Sequence, residues 1–466
     1  MGHGEFSPPG NLPSRWVSAR SAALLILLCA PIFFFRLGRP GLSDPDEGRN
    51  AEVAREILET GDWVTPHLDG ARYLDKPPAF FWVVAAFYRV FGVSEMAARA
   101  PSALFALAGI VLVYWYARRR LGERAAWLAA LTLALSPLYI VFGRIVIFDM
   151  MLTFCMTVSC LAAFAAMEGG APRPPAALFF AAAGIGTITK GPVALVAPLL
   201  VAVAWAILRG RPGLLRRLGW GTGALLYAAI LVPWLVLVES RNPGYLHYAI
   251  IGENLERMTS NRFETARPFY FYAKVILPGL FPWIFYAGAA AAHRVRALLP
   301  GSAAGTAGRR VGGAWRAAWA RLAAETDRDR LLAAFSGVWL GTLVLFFSLI
   351  ASKRPSYMLP CAVPLALLSG RLWAQALTGA ATTAGRSLAT GAWWAAAVCA
   401  AGALAALLAG PGGIAHGISR GKYDLLLSRR PLFTMTAAGL ALAAVVLIAT
   451  RKRRPGIGGL KRNPTS

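Results

Sequence analysis

The residues able to do chemistry fall in a few short runs. The first is Ser43-Asp44-Pro45-Asp46-Glu47-Gly48-Arg49-Asn50. Asp44 suits a helix N-cap, Pro45 the first helical position, and Glu47 the carboxylate of a capping box. Capping thus accounts for Asp44 and Glu47, whereas Asp46 has no structural task beyond favouring the helix dipole. A carboxylate held ionised at such a terminus, at the mouth of a cavity, can accept a proton or ligate a cation. Further on, Asp75-Lys76-Pro77-Pro78 sets an ammonium on a stiffened backbone. Lys76 is there either the surface partner of Asp75 or a point charge for a phosphate. Asp149 stands near the end of the apolar run Arg144-Ile145-Val146-Ile147-Phe148-Asp149-Met150-Met151-Leu152. An isolated carboxylate in a membrane span costs about 2.5–3.5 kcal/mol on insertion scales, so Asp149 is paired, with Arg144 at hand, or functional. Thr189-Lys190-Gly191-Pro192 and Ser352-Lys353-Arg354-Pro355-Ser356-Tyr357 form cationic turns, and Arg257, Arg262 and Arg267 lie in a long loop. Carboxylates ringed by cations suit a substrate that carries phosphate and a reaction that needs a carboxylate.

These residues must be positioned by a membrane scaffold. The chain has 466 residues, 57 % hydrophobic and 15 % charged, with a mean hydropathy of +0.53. That excess excludes an ordinary water-soluble enzyme and a disordered chain. Forty-eight Lys+Arg against 22 Asp+Glu give a net charge of +26, which in so apolar a chain points to membrane lipid as partner. The basic residues are scattered over loops without an aromatic-interleaved patch, so no nucleic-acid partner is expected. The cysteines (Cys29, Cys155, Cys160, Cys361, Cys399) lie in apolar stretches without metal spacing and read as packing residues.

About a dozen runs are long and apolar enough to predict transmembrane helices. They are 19–35, 97–117, 125–142, 145–167, 176–188, 192–208, 218–238, 275–292, 331–351, 357–376, 391–409 and 432–450. The first lacks a small-residue cleavage site after it and reads as a retained anchor. With residues 1–18 and 451–466 as cytoplasmic tails, most Lys and Arg fall inside with the basic loop 293–330. Most carboxylates then fall outside, chiefly in two long outer loops, 37–99 and 239–274. In the first loop, Ala51, Ala54, Ile57 and Leu58 predict the apolar face of a helix, opposite Glu52, Arg55, Glu56 and Glu59, with Gly61 as its stop. Asp69-Gly70 predicts a hairpin turn, and Phe80-Phe81-Trp82 reads as an interfacial belt.

Taken in order, Asp46-Glu47-Gly48-Arg49 with Ala51-Glu52, Tyr73-Leu74-Asp75-Lys76-Pro77-Pro78, Asp149, Thr189-Lys190-Gly191-Pro192 and Ser352–Tyr357 resemble the GT-C glycosyltransferases. The resemblance is to the branch holding the bacterial aminoarabinose transferase of lipid A and the protein O-mannosyltransferases, and it covers roughly Leu37 to Pro364. It implies an all-α polytopic fold, a bundle of about 12 transmembrane helices whose outer loop helices cover a cavity. It also implies a glycosyltransferase of the bacterial inner membrane, using a polyprenyl-phosphate-linked sugar such as an undecaprenyl phosphate derivative, and transferring it with inversion. The acceptor would be a lipid A-type lipid, another envelope glycan or a protein. By matching positions, Asp46 and Asp149 are the candidate catalytic carboxylates, with Glu47 beside them; Lys76, Tyr357, Tyr73, Arg49, Lys353 and Arg257 are the candidate donor-phosphate set. Asp46, Asp75 and Asp149 are the candidate ligands for a divalent cation. The chain departs from the pattern at Asn50, where a Tyr is frequent, at Asp75, where a Glu is, and at Asn254, where a metal-binding His occurs. The alternative class is a transporter or lipid flippase, for which internal repeats and midplane charges would be the signature.

Overall fold

The computed structural model describes residues 14–39, 41–43, 45–169, 173–249, 252, 267–298, 322–378 and 384–395. Asp44, Asn254, Arg257, Arg262, Cys399 and the run 432–450 lie outside them.

Helices dominate. They are α1 (Ser14–Phe34), α2 (Asp46–Thr60), α3 (Ala79–Phe91), α4 (Glu95–Leu121), α5 (Glu123–Ala134), α6 (Pro137–Phe142), α7 (Phe148–Glu168), α8 (Arg173–Lys190) and α9 (Val193–Leu208). There follow α10 (Trp220–Arg241), the single turn α11 (Tyr245–His247), α12 (Phe271–Gly279), α13 (Trp283–Leu298), α14 (Arg328–Leu349) and α15 (Ala362–Leu377). Two 3-10 segments, Pro212–Leu218 and Pro355–Cys361, precede α10 and α15. Among the described residues, α4, α7, α10, α14 and the continuous Pro355–Leu377 are long and apolar enough to cross a bilayer. The pair α12 and α13, bent by 111° at their junction, is apolar enough for a broken span or a re-entrant loop. The protein is thus an all-α, multi-pass membrane protein.

Among the described residues, several of the apolar runs are broken or shortened for local reasons, while 432–450 and most of 391–409 lie outside those residues. The apolar run 125–142 divides at Ser136-Pro137, where the proline starts the new helix α6. The run 145–167 forms helix only from Phe148, because residues 144–146 make a turn and bend tied down by contacts described below, and Ile147 is extended. α1, α3 and α9 are apolar but shorter.

α7 is the hub, packed against α8, α9 and α4 and against the Pro355–Cys361 segment. Its residues Met150, Met156, Cys160 and Phe164 are fully buried in the larger of two apolar clusters. The smaller cluster belongs to the first long loop. There Ala51, Val53, Ala54 and Ile57 of α2 pack on Phe80, Phe81 and Val84 of α3 and on Phe148 at the head of α7. Phe80 and Phe81, expected at the membrane interface, are instead fully buried, with ring centroids 5.2 and 5.1 Å from that of Phe148. Burying such rings is worth about 1.5–3 kcal/mol each, so the loop carries its own core.

α2 stops at Gly61, whose φ of +68° gives the left-handed cap expected of it. The hairpin pairs His67 with Arg72 and Leu68 with Ala71, and Asp69 and Gly70 both take positive φ, as a type I′ turn requires. Glu56 is not on the solvated face of α2. It is buried, and its oxygens accept the amide hydrogens of Asp69 (2.5 Å) and Gly70 (3.2 Å), holding the hairpin tip on the helix.

Candidate active site

The geometry of the site begins with a clasp on Val146. Glu47 Oε1 accepts the Val146 amide hydrogen (3.0 Å), and Asn50 Nδ2 donates to the Val146 carbonyl (2.8 Å). One turn of α2 thereby reads both backbone groups of a residue three positions before Asp149. Arg99, at the start of α4, locks the clasp. Its Nε donates to Glu47 Oε1 (2.7 Å) and its NH2 to Glu47 Oε2 (2.9 Å), while further bonds reach the carbonyls of Leu37 and Gly41. Glu47 does reach back as a capping carboxylate would, to the Ser43 amide (3.1 Å) and hydroxyl (2.8 Å). Burial pushes the Glu47 pKa up, but the hydrogen bonds and charge of Arg99, with the Ser43 bonds, outweigh it and hold the carboxyl below its ordinary range. Glu47 is 2 % exposed with both oxygens committed, so its position is that of a structural keystone and not of a group free to react.

Asp46, the next residue back, occupies the opposite situation. Its side chain is 53 % exposed and pairs with Arg49, whose guanidinium lies 6.0 Å from the centroid of the Tyr73 ring. Tyr73 in turn meets Phe81 edge-on at 6.1 Å, and Phe81 meets Phe148. Asp46, Arg49 and Tyr73 therefore form one outward-facing group on the loop core, next to the head of α7.

Asp149 pairs with Lys190, the last residue of α8, and not with Arg144. Arg144 instead donates to the carbonyls of Ile32 (2.7 Å), Phe33 (3.0 Å) and Phe35 (2.8 Å), satisfying the orphan carbonyls that end α1. Lys190 also faces the Tyr357 ring, 5.3 Å from its centroid, and that ring lies against Phe347 at 5.1 Å. Lys76 Nζ donates to the Asp75 carbonyl (2.6 Å), while the Asp75 carboxylate accepts from the Tyr248 hydroxyl (2.6 Å).

Lys76, Asp149, Lys190 and Tyr357 line one cavity of about 180 Å³. Its remaining wall is mostly apolar, including Leu152, Met156, Val196, Phe346 and Ile350. Asp75 and Ser356 also line it, whereas Asp46, Arg49, Tyr73 and Lys353 do not. Lys353 is buried beneath the same end of the bundle, donating to the Ile350 carbonyl (2.5 Å), and desolvation lowers its pKa. The cavity can accept a group that is anionic at one end and hydrocarbon at the other.

The three carboxylates considered for a cation do not converge. Asp46 is held by Arg49, Asp75 by Tyr248 and Asp149 by Lys190. Among the described residues, the acidic side chains that come together are Glu52, Glu56 and Asp69, and there Arg55 pairs with Glu52 while Glu56 serves the hairpin amides.

Sequence reasoning missed three members of the site. Arg99 carries a signal, since an arginine inside a predicted span demands a carboxylate partner. Lys190 stands in a turn already singled out as cationic, but nothing local links it to Asp149, 41 residues away. Asn50 was noted only as a departure, and its bond to Val146 has no sequence signature.

Comparison with known proteins gives consistent relatives. Residues 75–237 match the family described as dolichyl-phosphate-mannose-protein mannosyltransferase. The chain is 33 % identical over 350 residues to the undecaprenyl phosphate-alpha-4-amino-4-deoxy-L-arabinose arabinosyl transferase of Aeromonas salmonicida, covering 72 % of this chain and 58 % of that protein. The transferase of the same description from Pseudomonas aeruginosa is 32 % identical over 373 residues, covering 78 % of this chain and 61 % of that one. The chain therefore spans about three fifths of the length of these relatives. The crystal structure of ArnT from Cupriavidus metallidurans bound to undecaprenyl phosphate superposes with a TM-score of 0.71 at 27 % identity, over 95 % of this chain and 73 % of that one.

Proposed function

This chain belongs to the GT-C glycosyltransferases, on the branch of the aminoarabinose transferases, and we propose that it transfers a sugar from a polyprenyl-phosphate-linked donor. The acceptor in this reading is a lipid A-type lipid, another envelope glycan or a protein, met at the outer face of the bacterial cytoplasmic membrane. The site end of the bundle, with α2 and the hairpin, faces outward, and transfer proceeds with inversion.

The observation that carries the reading is the cavity, which joins Lys76 and Lys190 to a long apolar wall. A polyprenyl phosphate has that polarity. The leaving group of such a donor is a phosphate already ionised at neutral pH, so departure needs cations and no general acid. Lys76 and Lys190 supply positive charge where negative charge builds up on the departing phosphate, and Tyr357 lies beside Lys190 to orient it. Asp149 holds Lys190 in place and faces the same cavity. Asp46 is the carboxylate on the water side. It takes the proton when the acceptor is a hydroxyl, and it positions the acceptor or supports the cationic sugar when the acceptor is a phosphate. The Val146 clasp fixes α2, and with it Asp46, against the head of α7. The fit of the residues does not provide a common cation site, and no step is assigned to a metal.

A transporter would place its charges near the bilayer midplane. Here Asp149 lies in the first turn of α7 and Lys190 at the last residue of α8, which supports chemistry at one face.

The test is direct. The purified chain is incubated with undecaprenyl-phosphate-linked sugars, aminoarabinose first, together with lipid A, and release of undecaprenyl phosphate is followed. Acceptor-dependent release by the wild type and its loss in Lys76→Ala are expected. A wild type that releases no carrier from any of these donors overturns the reading.

A further inference from the structure

Thr153 lies one helical turn after Asp149 on α7, about 6 Å further along the axis. It is 1 % exposed, it lines the same cavity, and its Oγ1 has no hydrogen-bond partner. Buried hydroxyls elsewhere in these helices satisfy themselves by bonding back to the preceding turn. Ser136 does so to the Thr132 carbonyl (2.7 Å), Thr157 to that of Thr153 (2.7 Å) and Thr187 to that of Ala183 (2.8 Å). The Thr153 hydroxyl makes no such bond. Of the neighbouring walls, Leu152, Val196 and Phe346 offer no side-chain acceptor and Met156 only a weak thioether. The Asp149 carboxylate one turn back pairs with Lys190 and makes no bond to this hydroxyl. A hydroxyl buried without a partner is costly, and in a cavity that opens for a ligand the acceptor arrives with the ligand. Ser356, 5 % exposed, brings a second hydroxyl to the same cavity.

We infer that Thr153 is a direct ligand of the lipid donor, its hydroxyl donating to the phosphate-ester oxygen that joins the phosphate to the prenyl chain. The inference rests on the lipid-phosphate reading above and extends it by one contact. The sugar must face the acceptor, so the chain runs the other way, along the apolar wall. The ester oxygen is then the last acceptor before pure hydrocarbon. Lys76, and Lys190 at the Asp149 end of α7, are left for the charged oxygens. Thr153 thus marks where the headgroup ends, and a lipid without an ester oxygen at that depth leaves the hydroxyl unsatisfied.

Thr153→Val removes the hydroxyl at nearly constant shape, and Thr153→Ser restores it. The full chain in detergent is titrated with undecaprenyl phosphate while its melting temperature is followed. The wild type and Thr153→Ser should be stabilised over the same concentration range, and Thr153→Val over concentrations about tenfold higher. Without lipid, Thr153→Val should melt no lower than the wild type, since it loses only an unsatisfied group. In transfer assays its KM for the donor should rise by more than its kcat falls. Wild-type affinity in Thr153→Val overturns the inference and leaves the lipid-phosphate reading standing. A lower lipid-free melting temperature together with an unchanged KM assigns Thr153 to packing and also overturns it. A wild type that undecaprenyl phosphate does not stabilise at any concentration overturns the lipid-phosphate reading, and this inference with it.

Discussion

Asp46 and Asp149 are both carboxylates at the head of a helix, yet their surroundings separate what their removal should do. Asp46 is half exposed and tied to Arg49 across one helical turn, a pairing worth a few tenths of a kcal/mol. Asp46→Asn should therefore leave the melting temperature and membrane abundance within error of the wild type while abolishing transfer. Retained turnover by that variant would remove Asp46 from the chemistry. Asp149 and Lys190 form a largely buried pair, with side chains 5 % and 14 % exposed. Neutralising one partner strands the other and should cost about 3–5 kcal/mol of stability. The double variant Asp149→Asn/Lys190→Met should recover much of that loss in thermal unfolding but none of the transfer rate. Recovery of both would make the pair purely structural. The roles of Asp46 and Lys76 as candidates were legible from residue type and local spacing. The partner of Asp149 was not, because local sequence favours Arg144, and only the packing of α8 on α7 brings Lys190 to it while the end of α1 claims the arginine.

The clasp belongs to the scale of elements, since it joins α2, α4 and the bend before α7 through Glu47, Arg99, Asn50 and Val146. Because Glu47 titrates lower in the folded protein than in the unfolded chain, its contribution to stability is complete above the ordinary carboxylate range. It is lost as pH falls below about 4.5 toward the depressed folded value. The wild type should thus lose α2 docking in acid, whereas Glu47→Gln, with no proton to gain, should show a flatter pH profile of melting temperature below pH 5. An identical acid profile in the two proteins would remove Glu47 from the linkage. Arg99→Leu should destabilise by about 3–5 kcal/mol at neutral pH, by leaving the carboxylate buried alone. It should also slow transfer, because Asp46 loses its registration on α7. At this scale the sequence was readable where the signal is local: the amphipathic run of α2, its glycine stop and the Asp69-Gly70 turn all lie within a few residues of their cause. Glu56 was misassigned to the solvated face because its partners, the hairpin amides, are 13 and 14 residues away and offer no side-chain signature. Phe80 and Phe81 were misread for a related reason, since an aromatic run looks the same at a lipid interface and in a loop core.

For the whole molecule, the decisive question is which side of the membrane carries the cavity. Hydropathy alone revealed the class of fold, but a window of apolar residues does not register a proline break such as Ser136-Pro137, so it misplaces helix boundaries. Charge is the better guide to orientation. The positively charged turn at Arg118-Arg119-Arg120 and the run Arg209–Arg217 lie at helix ends opposite to Asp149 and Lys190, as alternation along α4, α7, α8 and α9 requires. In the proposed reading, the excess of Lys and Arg puts those turns in the cytoplasm and the cavity outside. Four cysteines of the described residues are buried, and Cys399, outside them, is replaced by serine for thiol labelling. Cysteine introduced at the exposed Glu59, on α2, should react with a membrane-impermeant maleimide in intact spheroplasts. Cysteine at the exposed Arg211 should react only after permeabilisation. The reverse pattern would turn the active site toward the cytoplasm, where an envelope acceptor cannot reach Asp46, and the proposed reaction would have to be abandoned even if every residue-level prediction held.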